Sequence, residues 1–114
     1  LRETGIHLAV VIHPSAVISS GATIGMGSTV MAQTMIGVDA VLGEGCIINA
    51  GATVDHDGVL GDFAHLGVGV HLSGGVRVGA RAWLQAGCCI GYNTVVPDGS
   101  VHTPGSILVQ ESFD

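Results

Sequence analysis

The chain has 114 residues, enough for one compact domain, and nine acidic side chains against three arginines give it a net charge of −6. So few cations exclude a nucleic-acid interface, because neutralising a phosphate backbone requires many of them. No apolar run approaches the roughly 18 residues of a membrane span, and residues 8–12 are too short and too poorly flanked for a signal peptide. We therefore predict a cytoplasmic protein that binds neither nucleic acid nor membrane.

Residues 1–5 are predicted to be a lead-in, and a six-residue repeat begins at Ile6. Every residue whose number is a multiple of six is Ile, Leu or Val from Ile6 to Val96, sixteen positions in succession without an insertion. Four residues after each of these, the side chain is small or a valine. A period of six is typical of a parallel β-helix, in which these two positions face the interior. The pattern predicts an all-β solenoid over residues 6–110, with 111–114 as its C-terminal end.

The three cysteines give no indication of a metal or redox site. Cys46 and Cys88 occupy the small inward position of their hexads, and Cys89 follows immediately. Neither zinc-ligand spacing nor a Cys-x-x-Cys pair is present. We interpret Cys46 and Cys88 as small buried thiols rather than as half of a disulfide or redox pair.

The segment from His56 to Gly74 contains the motifs that point to chemistry. It reads His-Asp at 56–57 and Gly-Asp-Phe at 61–63, and a second histidine, His65, lies nine residues after the first. His-Pro-Ser-Ala at 13–16 precedes it, and Leu-Ser-Gly at 72–74 and Val-Gly at 78–79 complete the pattern. In these motifs nearly the whole chain resembles the hexapeptide-repeat acetyltransferases. Within them it is similar to the sialic acid O-acetyltransferases and the N-acetyltransferases of UDP-linked amino sugars in bacillosamine and perosamine pathways.

The resemblance implies a left-handed parallel β-helix of triangular section, with three hexads to each coil, so that residues 18 apart stack. One column of stacked corner residues is then Gly25, Gly43, Gly61, Gly79 and Pro97. Outward aliphatic stripes are predicted on two faces, with Val41, Val59 and Val95 on one and Met31 and Ile47 on another. Such stripes are typical of a partner surface, and the resemblance implies a homotrimer with parallel axes. Strand propensity alone is the other explanation of the stripes.

His56 is the predicted general base, and Asp57 its orienting carboxylate. His56 falls two residues after the inward Val54, at a corner, where its ring points outward. A histidine accepts a proton at neutral pH, and an adjacent carboxylate fixes its tautomer and raises its basicity. Gly74 stacks one coil later, where it leaves space above the ring for an acyl thioester and supplies a backbone N–H for the oxyanion. A surface histidine in an Asp-rich turn is the alternative interpretation.

His65 and Trp83 are predicted to bind the cosubstrate acetyl-CoA. His65 lies half a coil from His56, on the opposite side of the prism, so the resemblance implies that the two histidines meet only across a subunit interface. Trp83 stacks one coil beyond His65 and would pack against the pantetheine arm, or else fill the trimer seam. His71 receives no role, and His7, His13 and His102 are predicted to be surface residues of the terminal coils.

The chain departs from the resembled enzymes at both ends. Those enzymes often carry an N-terminal nucleotide-binding domain, whereas this chain begins at Leu1 without an initiating Met. Their usual tail after the last coil is also missing, and only Thr-Pro-Gly-Ser at 103–106 stands where they have a glycine-rich turn. We therefore expect either a fragment of a longer protein or a protein that acts on a simpler acceptor.

The predicted function is acetyl transfer from acetyl-CoA to an oxygen or nitrogen of a sugar or nucleotide-linked amino sugar, without a metal or a covalent acetyl-enzyme. Two other classes stay open. Carbonic anhydrases of the γ class use the same helix, and His56, His65 and His71 can supply three imidazoles to zinc, although at a different spacing. A non-catalytic trimeric solenoid or truncated remnant would account for the few cations and the missing tail.

Overall fold

A computed structural model describes residues 8–110 of the chain. It contains 17 strands of two residues each, numbered β1 to β17 in chain order. Each strand pairs in parallel with the strands 18 residues before and after it, except that the end strands of each sheet have one such partner; His65↔Trp83 is an example of the register. The strands therefore form three sheets, which are the faces A, B and C of a triangular prism.

Face A contains β1 (Val11–Ile12), β4 (Thr29–Val30), β7 (Ile47–Ile48), β10 (His65–Leu66), β13 (Trp83–Leu84) and β16 (Val101–His102). Face B contains β2 (Val17–Ile18), β5 (Met35–Ile36), β8 (Thr53–Val54), β11 (His71–Leu72), β14 (Cys89–Ile90) and β17 (Ile107–Leu108). Face C contains β3 (Thr23–Ile24), β6 (Val41–Leu42), β9 (Val59–Leu60), β12 (Arg77–Val78) and β15 (Val95–Val96).

The predicted left-handed β-helix with three hexads to the coil is confirmed over the described residues. The prism measures 50 × 29 × 26 Å. The chain runs from face A to B to C and then returns to A, and it turns at corners that we call AB, BC and CA. The predictions for residues 1–7 and 111–114 lie outside the described part of the chain.

The interior consists of the two inward positions that the repeat predicts. From Val30 to Val96 every multiple of six is almost fully buried, and the small residues four positions later fill the remaining space. Because this core is only one side chain deep, it is filled by aliphatic residues, alanine and two cysteines, without any aromatic ring. Cys46 and Cys88 are buried among them as predicted, and burial raises the pKa of the Cys46 thiol.

From residue 21 to residue 105, the backbone turns at each corner through a residue in the left-handed region, three positions after the inward aliphatic residue. Asp57 has φ 60° and Gly75, one coil later, has φ 71°. The predicted glycine column from Gly25 to Gly79 lies elsewhere, one position after the strands, and these glycines do not have positive φ. They serve close approach instead, because a Cβ on Gly61 would lie 2.6 Å from the Ala80 nitrogen of the next coil.

The outward stripes differ in part from the prediction. Val41, Val59 and Val95 do share face C, but Arg77 separates Val59 from Val95. Ile47 faces outward from β7 on face A, whereas Met31 follows the end of β4 and lies at the AB corner. No helix that could span a membrane occurs within residues 8–110.

Candidate active site

His56 lies in the BC corner formed by residues 55–58, between β8 and β9. The Gly58 N–H donates to the Asp55 carbonyl over 3.2 Å and closes the turn. Asp57 takes the left-handed conformation, which Asp tolerates better than most residues. This conformation brings the Asp57 side chain back toward the imidazole that precedes it.

The imidazole of His56 and the carboxylate of Asp57 form a hydrogen-bonded pair. Nδ1 of His56 lies 3.0 Å from Oδ2 of Asp57, and the two side chains are 55% and 66% exposed. A carboxylate only accepts hydrogen bonds, so Nδ1 carries the proton and Nε2 is left as the acceptor. The hydrogen bond with Asp57 raises the pKa of His56, burial opposes the rise, and the charges of Asp55 and Asp57 add to it. The pair therefore has the protonation pattern that a general base requires.

Asp55 holds the backbone of the same corner. Its Oδ1 accepts the His56 N–H over 2.7 Å, so this N–H has a partner within the turn. One coil later Ser73 takes the place of Asp55, and its side chain makes no hydrogen bond within the described residues. The N–H of Gly74, a buried residue, consequently donates to no other residue within 8–110.

Gly74 supports the imidazole of His56, which corrects the prediction of open space above the ring. A Cβ on Gly74 would collide with Nε2 and would lie 2.5 Å from Cε1 of the His56 ring. The ring thus leans along the corner toward the next coil and occupies the space that the missing side chain leaves. Its Nε2 lies at the level of Gly74, against the side-chain position of that residue.

His65 and Trp83 form a stacked pair on face A, which is the face opposite the BC corner. Their ring centroids are 5.5 Å apart and their planes differ by 9°. His65 is half-buried, and burial lowers its pKa, so the ring stays neutral at neutral pH. Trp83 is 41% exposed and presents a flat aromatic surface to the outside. As predicted, the pair lies on the opposite side of the prism from His56.

The other histidines do not join either group. His71 is exposed on face B, and His13 is exposed at the AB corner, where it contacts Ser15. His102 differs from its predicted surface position, because it occupies an inward position of the last coil and is half-buried beside Ser100. Within residues 8–110 no three His, Cys, Asp or Glu side chains are grouped so that they could hold a metal ion.

Tyr92 is a neighbour of the site that we did not single out from the sequence. It lies at the same corner position as His56 and Gly74, 36 residues and therefore two coils after His56, and it is 65% exposed. Two steps of 18 residues from His56, through Gly74, lead to it. The sequence motifs that carry the resemblance end at Gly79 and do not include it.

Comparison with solved structures confirms the likeness to the hexapeptide-repeat acetyltransferases. The acetyltransferase domain of PglB from Neisseria gonorrhoeae is 40% identical, with a TM-score of 0.91, over 93% of this chain and 52% of that one. PerB from Caulobacter crescentus, in complex with CoA and GDP-perosamine, is 41% identical, with a TM-score of 0.73, over 96% and 57%. The PglB domain in complex with acetyl coenzyme A is 36% identical, with a TM-score of 0.70, over 88% and 57%.

The chain spans a little more than half the length of these solved relatives. No protein-family model matches it, and no match is found among the curated proteins.

Proposed function

We propose that the chain is the acyl-transfer part of an acetyl-CoA-dependent acetyltransferase that acts on a sugar or nucleotide-linked amino sugar. One observation carries this function: Nδ1 of His56 is held by Asp57 at 3.0 Å, so that Nε2 is left as the base beside Gly74. The relatives support the substrate class, since PerB was solved with CoA and GDP-perosamine and the PglB domain with acetyl coenzyme A.

The transfer is direct, and His56 is its general base. Nε2 of His56 takes the proton of the acceptor amine or hydroxyl as the acceptor nitrogen or oxygen attacks the thioester carbon. The new C–N or C–O bond forms, the C–S bond breaks, and the thiolate leaves with the electron pair of that bond. The imidazolium, stabilised by Asp57, then returns the proton to the sulfur. Neither Cys46 nor Cys88 takes part, because both are buried.

The N–H of Gly74 is the proposed donor to the carbonyl oxygen of the thioester. It has no partner among residues 8–110, and the His56 ring lies against the side-chain position of the same residue. A fixed N–H directed at a developing oxyanion stabilises the transition state without reorganisation. The step therefore has a base and an oxyanion donor on adjacent coils of one corner.

A second protomer completes the proposed site. The BC corner is a convex edge, and a convex edge buries no ligand by itself, whereas small-molecule sites are concave. The stacked rings of His65 and Trp83 form a flat wall on face A that can close a cleft against His56 of a neighbour. We accordingly propose a cytoplasmic homotrimer in which acetyl-CoA lies between the corner of one protomer and face A of the next.

Steady-state transfer from acetyl-CoA to GDP-perosamine, followed by release of free thiol, tests this function. The unmodified protein should show turnover, and His56→Ala should lower kcat by roughly 10²–10⁴-fold while the circular dichroism spectrum stays the same. His71→Ala, on an exposed face outside the site, is the matched control and should leave kcat unchanged. Equal activity of His56→Ala and the unmodified protein would remove the assigned base.

The shared cleft has its own test. His65→Ala should act chiefly on the KM for acetyl-CoA, and sedimentation should give three times the chain mass of 11.4 kDa. A monomer with full activity would contradict the two-protomer site.

The rival functions are separated by binding measurements. A stoichiometric metal in protein purified without a histidine tag would favour the zinc enzyme. The absence of any heat on titration with acetyl-CoA would favour the non-catalytic solenoid.

A further inference from the structure

Two coils beyond His56, on the side toward which the base leans, the BC corner carries the exposed phenol of Tyr92. Position 56 and its stacked equivalents read Val38, His56, Gly74 and Tyr92 along the prism. The backbone joins them closely, because the Gly75 N–H donates to the His56 carbonyl and the Asn93 N–H to the Gly74 carbonyl, each over 3.0 Å. Tyr92 is thus the next side chain in this column after His56.

The imidazole of His56 leans toward one end of this column. Nδ1 is engaged by Asp57, and the free Nε2 is the ring atom nearest to the side-chain position of Gly74. The base therefore faces the coils toward Tyr92 and away from Val38. Because position 74 has no side chain, Tyr92 is the first side chain of the column that lies beyond Nε2.

The spacing fits the reacting atoms. Coils are separated by roughly 4.8 Å, so Tyr92 begins about one coil beyond the level of Nε2. An acceptor atom within roughly 3 Å of Nε2 attacks the thioester carbon, and the sulfur lies on the far side of that carbon. An arrangement in which the acceptor atom, the thioester carbon and the sulfur follow one another along the column brings the departing sulfur to the level of Tyr92.

We infer that the phenol of Tyr92 donates a hydrogen bond to the departing thiolate of coenzyme A, which makes Tyr92 a catalytic residue in addition to His56. The inference rests on the proposed acetyl-CoA function. Tyr92 is 65% exposed, and its hydroxyl has no partner within residues 8–110, so it is free to donate. The sulfur holds the electron pair of the broken C–S bond, and an O–H donor stabilises that charge. The proton balance does not change, because His56 still takes and returns the proton.

Binding of coenzyme A and of its analogue without sulfur, desulfo-coenzyme A, tests the inference without an acceptor. At about pH 9 a larger fraction of the free thiol is thiolate than at neutral pH, and the preference for coenzyme A should grow with that fraction. The unmodified protein should bind coenzyme A roughly 10-fold more tightly than desulfo-coenzyme A, since a hydrogen bond to a charged group is worth about that factor. Tyr92→Phe should reduce this preference to about 1, and affinities that keep the full preference would overturn the inference.

Kinetics give the second readout. Tyr92→Phe should lower kcat and kcat/KM for acetyl-CoA together, by roughly 10-fold, because the contact strengthens only in the transition state. Val38→Ala, in the same column on the other side of His56, is the matched control and should change neither constant. A Tyr92→Phe protein with unchanged kcat would overturn the inference even if His56→Ala is inactive. If the unmodified protein does not bind coenzyme A at all, the proposed function is refuted instead.

Discussion

Two neighbouring corners, BC at residues 55–58 and CA at residues 61–64, contain similar residues and use them differently. At the CA corner Oδ1 of Asp62 accepts the Glu44 N–H of the preceding coil over 2.9 Å, so its carboxylate joins coil to coil. At the BC corner the Asp57 carboxylate binds an imidazole instead, and both side chains are more than half exposed.

Aromatic contacts repeat this difference. Phe63, in the left-handed position of the CA corner, packs over Gly45, and the Arg81 guanidinium lies 5.6 Å from its ring centroid. His56 packs over Gly74, but no side chain covers its Nε2 from the next coil. A corner of this fold is thus structural when its polar atoms are bonded between coils, and it is available for chemistry when they are left exposed.

The largest expected effect comes from Leu60, which lies in β9 between the two corners and is 1% exposed. Leu60→Asp places an unpaired carboxylate in the core and should cost several kcal/mol of unfolding free energy. Both corners should be lost together, which circular dichroism and sedimentation of the soluble fraction measure. Leu60→Met, which keeps the volume and the apolar character, should stay folded. A folded, soluble Leu60→Asp protein would show that the multiples of six do not face inward.

Gly74→Ala should separate packing from chemistry at the BC corner. The added methyl group collides with the far end of the His56 ring, which can rotate away at little cost to the fold. The displaced base should lower kcat by roughly 10²-fold, as misplacement of a catalytic group by about 1 Å does. Gly91→Ala is the control, because its methyl group meets a movable Val109 methyl at 3.2 Å and not the imidazole. Equal kcat values for the two variants would show that Gly74 does not position the ring.

Asp57→Asn should change the pH dependence of turnover. The hydrogen bond with Asp57 raises the pKa of His56 above its ordinary value, and the base works only when deprotonated. The acidic limb of the kcat profile should therefore lie above pH 6.5 in the unmodified protein and move to lower pH in Asp57→Asn. The kcat on the plateau should fall by roughly 10-fold, the value of one charge-assisted hydrogen bond. A limb at the same pH in both proteins would mean that another group controls it.

Asp62→Ala should have the smallest effect, and on stability alone. It removes the hydrogen bond from the Glu44 N–H, which is worth about 1 kcal/mol of unfolding free energy. Urea denaturation measures this change, and kcat should remain that of the unmodified protein. A fall in kcat without loss of stability would assign Asp62 to the site and reduce the contrast between the corners.

Much of the fold follows from the sequence because the period of six is a property of the chain. An aliphatic residue at each multiple of six and a small residue four positions later require two inward directions per hexad, and the core consists of these residues. The corner position of His56 and its separation from His65 follow from the same six-residue period. The glycine column was harder to interpret, because a glycine required for positive φ and one required for close approach look the same in a sequence.

The sequence by itself thus determined the solenoid, its core and the corner that carries His56 and Asp57. The tertiary structure decided which way the imidazole leans. The ring therefore lies against Gly74, and Tyr92 is the next side chain beyond Nε2. It also decided that Asp62 joins two coils while Asp57 holds a ring. The physical reason is that the repeat fixes where each Cα lies, whereas side-chain direction and hydrogen-bond partners depend on residues 18 positions away in the neighbouring coil.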